Sequence, residues 1–88
     1  MDYLTEAQAV NILDECEAIK VNDIPLFRNM KVHYEQKLGF YVKGGCNSIT
    51  NNTLSKIIRI AENNNAILII TGSDSVQFFF SGDGKKVG

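Results

Sequence analysis

The hydrophobic positions of this chain change period several times, and each change marks an element. Ala9, Ile12, Leu13 and Cys16 recur at three- and four-residue spacing with Ile19 or Lys20 closing the series, while Glu6, Asn11, Asp14, Glu15 and Glu17 fall mostly between them. That stripe predicts an amphipathic helix from residue 6 to about 20 with an acidic outer side. Thr5-Glu6-Ala7-Gln8 reads as a capping box at its start: the Thr5 hydroxyl can accept from the Gln8 amide while the Gln8 side chain returns to the Thr5 amide. Asn22-Asp23-Ile24-Pro25 reads as the break that follows.

The period then drops to two. Met30-Lys31-Val32-His33-Tyr34-Glu35 alternates apolar and polar at every step, which predicts a half-buried strand, and Lys37-Leu38-Gly39 turns it into a second strand, Phe40 to Lys43. A helix over residues 26–38, with Phe27, Met30, Tyr34 and Leu38 as its stripe, is the alternative, and Val32 falls off that stripe. Gly44-Gly45-Cys46-Asn47-Ser48 reads as a loop. Leu54, Ile57, Ile58 and Ala61 then form a one-sided stripe opposite Lys56, Arg59 and Glu62. It predicts a second helix, capped within residues 48–51 and stopped at Asn63-Asn64-Asn65. Ile67 to Thr71 and Val76 to Ser81 read as a hairpin about Gly72-Ser73-Asp74-Ser75.

The order α-β-β-α-β-β, or α-α-β-α-β-β on the helical alternative, predicts an α+β two-layer sandwich. Its antiparallel sheet has about four strands with both helices on one face. Residues 1–81 make a single domain, and the glycine- and lysine-bearing tail 82–88 is expected to fray. This architecture leaves the last hairpin with surplus apolar surface. Val76, Phe78 and Phe80 share one face of their strand, Gln77 and Phe79 share the other, and in the partner strand Ile67 and Ile69 oppose Leu68 and Ile70. A sheet covered on one side needs one apolar face. Phe79 and one aliphatic pair are therefore expected either to meet a partner or to be covered within the chain by the Phe27 segment or the tail.

Composition adds bounds. Eighty-eight residues with 44% apolar and 22% charged content describe one globular domain. The start lacks a basic segment and no apolar run is long enough for a span, so a cytoplasmic protein with no membrane contact is expected. Cys16 and Cys46 lie outside any Cys-x-x-Cys pair and read as reduced thiols. Net charge is −1 but uneven: residues 1–23 hold six acids and Lys20, giving −5, and residues 24–88 hold four acids and eight bases, giving +4. Such asymmetry suits a charged partner.

Chemistry is sparse. His33 is the one histidine and sits on the polar side of its strand; no nucleophile–base pair, zinc ligand set or cofactor motif accompanies it, so no enzymatic activity, metal or cofactor is expected. Lys43-Gly44-Gly45-Cys46-Asn47-Ser48, read as a glycine turn feeding a helix N-terminus, is a candidate phosphate cradle, although it lacks P-loop spacing. Lys31, His33, Lys37, Tyr41 and Lys43 form a candidate basic and aromatic strand face for single-stranded nucleic acid, against which stands a pI near 5.7. In element spacing alone, residues 40–81 resemble the first strand, first helix and following hairpin of histidine-phosphocarrier proteins. That family starts its helix at a phosphorylatable histidine followed by arginine and proline; here the stretch is Ser48-Ile49-Thr50-Asn51-Asn52-Thr53, and no site residue carries over.

These readings lead to the expectation of a small non-enzymatic binding protein. Its protein partner would meet Phe79 and Gln77 or the acidic helix face of Asp14, Glu15 and Glu17, and a homodimer fits the same surplus surface. Nine asparagines and ten isoleucines suggest an AT-rich gene, and compact motif-free domains of this kind resemble phage- or mobile-element-encoded inhibitors and immunity proteins. The alternative is a binder of a phosphate-bearing ligand or single-stranded nucleic acid through Lys31, His33, Lys37, Tyr41, Lys43, Gly44, Gly45 and Ser48.

Overall fold

Thr5 starts the first helix in the manner its sequence implies. Its hydroxyl accepts from the Gln8 amide at 3.1 Å and its own amide donates to the Gln8 side chain at 2.8 Å. The structure is a computed structural model that describes residues 3–72 and 75–82. Helix α1 runs over Glu6–Glu17, ending sooner than the hydrophobic stripe suggests, because Ala18 caps it and the chain reverses at once. The segment expected as a plain break is a small hairpin, β1 (Lys20–Val21) paired with β2 (Ile24–Pro25). Asn22 and Asp23 between them have φ of 53° and 66°, the left-handed pair that a two-residue turn needs.

The remaining elements are β3 (Arg28–Glu35), β4 (Gly39–Cys46), α2 (Asn51–Asn63), β5 (Ile67–Thr71) and β6 (Val76–Ser81). The strand reading of residues 30–35 holds, with the helix alternative excluded. β3 to β6 form an antiparallel four-stranded sheet in the order β3-β4-β6-β5, and the two helices pack on one face of it, the α+β sandwich predicted. Ala9, Ile12 and Cys16 of α1 and Ile57, Ile60 and Ala61 of α2 meet Val42, Phe78 and Phe80 of the sheet, all buried. Phe27 joins this core, its ring edge-on to Phe78 at 5.2 Å, and so does not cover the other face.

Residues 44–46 correct the loop reading. Gly44, Gly45 and Cys46 are the end of β4, the strand paired with β3 on one side and β6 on the other. The glycines serve close approach. A Cβ on Gly44 would stand 2.7 Å from the Met30 Cα and would collide with the Met30 Sδ; one on Gly45 would stand 2.9 Å from the Val76 carbonyl oxygen. Opposite them β3 bulges between Arg28 and Lys31, where Asn29 takes φ 58°.

Helix α2 is capped by Thr50, whose hydroxyl accepts from the Thr53 amide at 3.2 Å. At its end Asn65 is left-handed (φ 54°), and the amides of Asn65 and Ala66 return to the carbonyls of Glu62 and Ala61 at 3.2 and 2.9 Å. Those two bonds form a Schellman closure. The adjacent Asn64 is buried and joins the helices: its amide donates to the Glu15 carboxylate at 3.1 Å and to the Ile60 carbonyl at 2.8 Å, while its Oδ1 accepts from Asn11 at 2.9 Å. The reading of Ser73-Asp74 as a turn and of 83–88 as a fraying tail lies outside the described residues.

Candidate sheet-face interface

With both helices on one side, the alternation along each strand decides what the other side shows. The register sets the open face out in rows. His33 stands opposite Tyr41 in one row; Lys31, Lys43, Phe79 and Ile69 stand in succession in the next; Gly45, Gln77 and Thr71 follow. Residues proposed separately from sequence, Phe79 with Gln77 and the basic set Lys31, His33, Tyr41 and Lys43, thus share one surface, because β4 pairs with β6.

Aromatic rings form the middle of this face. Tyr41 stacks on His33 at 5.1 Å with planes 13° apart, and on Phe79 at 4.9 Å with planes 27° apart, so three strands contribute one continuous ring row. The Tyr41 hydroxyl donates to the Glu35 carboxylate at 3.1 Å. Partial burial and then this carboxylate hold the phenol above its usual pKa. Phe79 is half-buried among its neighbours, whereas Ile69 beside it is 47% exposed.

Next to the ring row lies a concavity of about 430 Å³, lined among the described residues by Arg28, Lys31, His33 and Lys43, with Gly44, Gly45 and Gln77 in its floor and rim. No acidic side chain is among that lining. Lys31 and Lys43 are direct cross-strand partners, and two like charges so placed repel each other. An anion between them removes that repulsion. Arg28, which the sequence reading passed over because it precedes the alternating run, donates to the Asn47 side-chain oxygen and completes the basic rim. On the other side of Lys43 and Phe79, Ile69, Thr71 and Gln77 line a smaller, apolar hollow of about 280 Å³.

Other candidates fall elsewhere. Lys37 is in the turn at the far end of the β3–β4 hairpin, and Ser48 is in the loop before α2, where its carbonyl accepts from the Cys46 thiol at 3.4 Å. The expected anion cradle at a glycine turn is absent: Gly44 and Gly45 are strand residues and α2 begins later, behind Thr50. Burial holds the Cys46 thiol up against the opposing charge of Arg28, so it is no activated nucleophile. Asp14 and Glu17 are exposed on α1, in the layer behind the sheet, whereas Glu15 is half-buried in the Asn11–Asn64 network and spends its carboxylate there.

A third concavity, about 500 Å³, runs between α1 and α2 past Glu15, Lys56 and Arg59, and its mixed charges converge on no reactive group. Among the described residues no three His, Cys, Asp or Glu side chains gather as metal ligands, and no helix is long and apolar enough to cross a membrane. Compared with known proteins, the chain matches no family model, no curated protein and no solved structure.

Proposed function

We propose that this protein is a binding module whose working surface is the open face of the sheet, and that the partner is an anionic polymer carrying stackable rings, single-stranded nucleic acid. The observation that carries this reading is the placement of the His33–Tyr41–Phe79 ring row against a concavity rimmed by Arg28, Lys31 and Lys43, with no acid in its lining among the described residues. Single strands are held by cations that follow the backbone and by aromatic side chains that take the bases. Gln77 supplies both a donor and an acceptor at the junction of the two.

The acidic pI does not oppose this reading, because much of the acidic charge lies away from the open face. Four of the ten acids, Glu6, Asp14, Glu15 and Glu17, belong to α1 behind the sheet, and Glu35, beside the ring row, is engaged by the Tyr41 hydroxyl. A helix is about 10 Å across. Its outer carboxylates are therefore more than one Debye length, about 8 Å, from the open face at physiological salt.

Anisotropy of a labelled ~10-nucleotide oligonucleotide tests the proposal. Binding is expected to weaken with salt along a log–log slope near −2, the value for about three phosphates on a single strand. Lys31→Glu and Lys43→Glu should each abolish most of it, and Tyr41→Ala should weaken it at all salt concentrations. Absence of binding at low salt to both DNA and RNA strands, or binding indifferent to both charge reversals, sinks the reading.

A protein partner acting as inhibitor target is the second reading. The exposed Ile69 and the apolar hollow beside Phe79 favour it.

A further inference from the structure

The sheet has two edges, and they are built differently. β3 carries Arg28, Lys31, His33 and Glu35 and is interrupted by the bulge at Arg28–Lys31, devices that keep an edge from pairing. β5 has none of these. Its five residues, Ile-Leu-Ile-Ile-Thr, include no charge and no proline and pair without a bulge to β6, and its outer edge is paired to no strand among the described residues. Both of its faces are apolar: Ile69 on the open side is 47% exposed, and Ile70, on the side of the helices, is 41% exposed.

We infer that β5 pairs antiparallel with β5 of a second copy, joining two four-stranded sheets into one. The second copy is the occupant that the strand itself fits. Antiparallel pairing of a strand with its own copy requires a twofold axis normal to the sheet and sets the residue on the axis against its own kind, with its neighbours on either side paired to each other. An uncharged strand meets no like-charge repulsion in that arrangement, whereas β3 would set Lys31 and Arg28 against another cationic edge. With the axis at Ile69, Ile69 meets the second copy's Ile69 on the open side, Ile70 meets the second copy's Leu68 behind it, and the orphan backbone groups of both edges are satisfied. The normal axis also leaves both open faces on the same side of the joined sheet. This inference rests on the strand edge and stands independently of the ligand.

Five paired residues per copy make an interface at the small end of the specific range, below about 1,200 Å², so assembly is a concentration-dependent equilibrium. Sedimentation of the full chain from ~10 μM to ~1 mM tests it, the range in which so small an interface associates. The expected result is a rise from 9.8 kDa toward twice that mass. Ile69→Lys and Ile70→Lys, both at exposed positions, should hold the chain monomeric with unchanged circular dichroism. Amide exchange across residues 67–71 should slow at high concentration in the parent protein alone. A single 9.8 kDa species throughout the range overturns the inference, as does a dimer that survives both lysines. So does a dimer that forms only after the chain is cut following Gly82, since the C-terminal segment would then be the occupant of the edge.

Discussion

Gly44→Ala adds one methyl group to the centre of the sheet, and the geometry states what it meets. Gly44 faces the core in register with Phe78, and the new Cβ would stand 2.7 Å from the Met30 Cα as well as against the Met30 side chain. The side chain can rotate; the Cα cannot, because β3 is held in the ladder on both sides of its bulge. Relief to an ordinary contact of about 3.5 Å requires the strands to part by close to 1 Å, and overpacking of this kind costs about 1–3 kcal/mol. The alanine recovers about 0.4–1 kcal/mol by restricting the unfolded chain, leaving a net loss near 1–2 kcal/mol. For a domain of this size that is a fall in Tm of roughly 5–15 °C. Thermal and urea unfolding followed by circular dichroism measure it. A second variant separates side chain from backbone: Met30→Ala placed on Gly44→Ala removes the sulfur but leaves the Cα, so it should not restore stability. A Gly44→Ala protein as stable as the parent, or one rescued by Met30→Ala, would refute the close-approach account and return residue 44 to the list of ligand-contacting positions.

Two further outcomes follow from buried polar groups. Asn64→Ala is expected to cost about 2 kcal/mol in urea unfolding, because it strips the half-buried Glu15 carboxylate and the Ile60 carbonyl of a donor at once; an effect below about 0.5 kcal/mol would mean the interhelix network is dispensable. Burial, with Glu15 and Glu17 adding to it, pushes the Cys16 thiol from 9.0 up to about 12. The folded state therefore keeps a proton that the unfolded chain releases. The resulting stability is whole below pH 9 and is lost as pH rises toward 12, at up to about 1.4 kcal/mol per pH unit. Urea midpoints between pH 8 and pH 10.5 should fall more steeply for the parent than for Cys16→Ala, and equal slopes would contradict the assignment.

Much of the local structure was legible because its causes are local. The Thr5–Gln8 box, the stripes of α1 and α2 and the alternation of β3 each depend on residues within one or two turns of each other, and each element is found there, α1 alone stopping short, at Glu17. The two-residue hairpin at Asn22-Asp23 was present in the letters as well, as two residues tolerant of left-handed backbone between Val21 and Ile24, but Pro25 masked it as a break.

Other residues took their meaning from distant partners. Gly44 and Gly45 look like turn residues until Met30 and Val76 are laid against them, and Glu15 looks like free surface until Asn64, 49 positions away, claims its carboxylate. The candidate site belongs to this second class. Alternation assigned Lys31, Tyr41 and Phe79 each to one side of its own strand, which the side-chain period of two dictates from sequence alone. That those sides coincide, that Lys31 faces Lys43 and that Tyr41 stacks on Phe79 follow from the strand order β3-β4-β6-β5 and its register. Strand order is a matter of which edges pair across the whole domain, and it leaves no periodic trace along the chain.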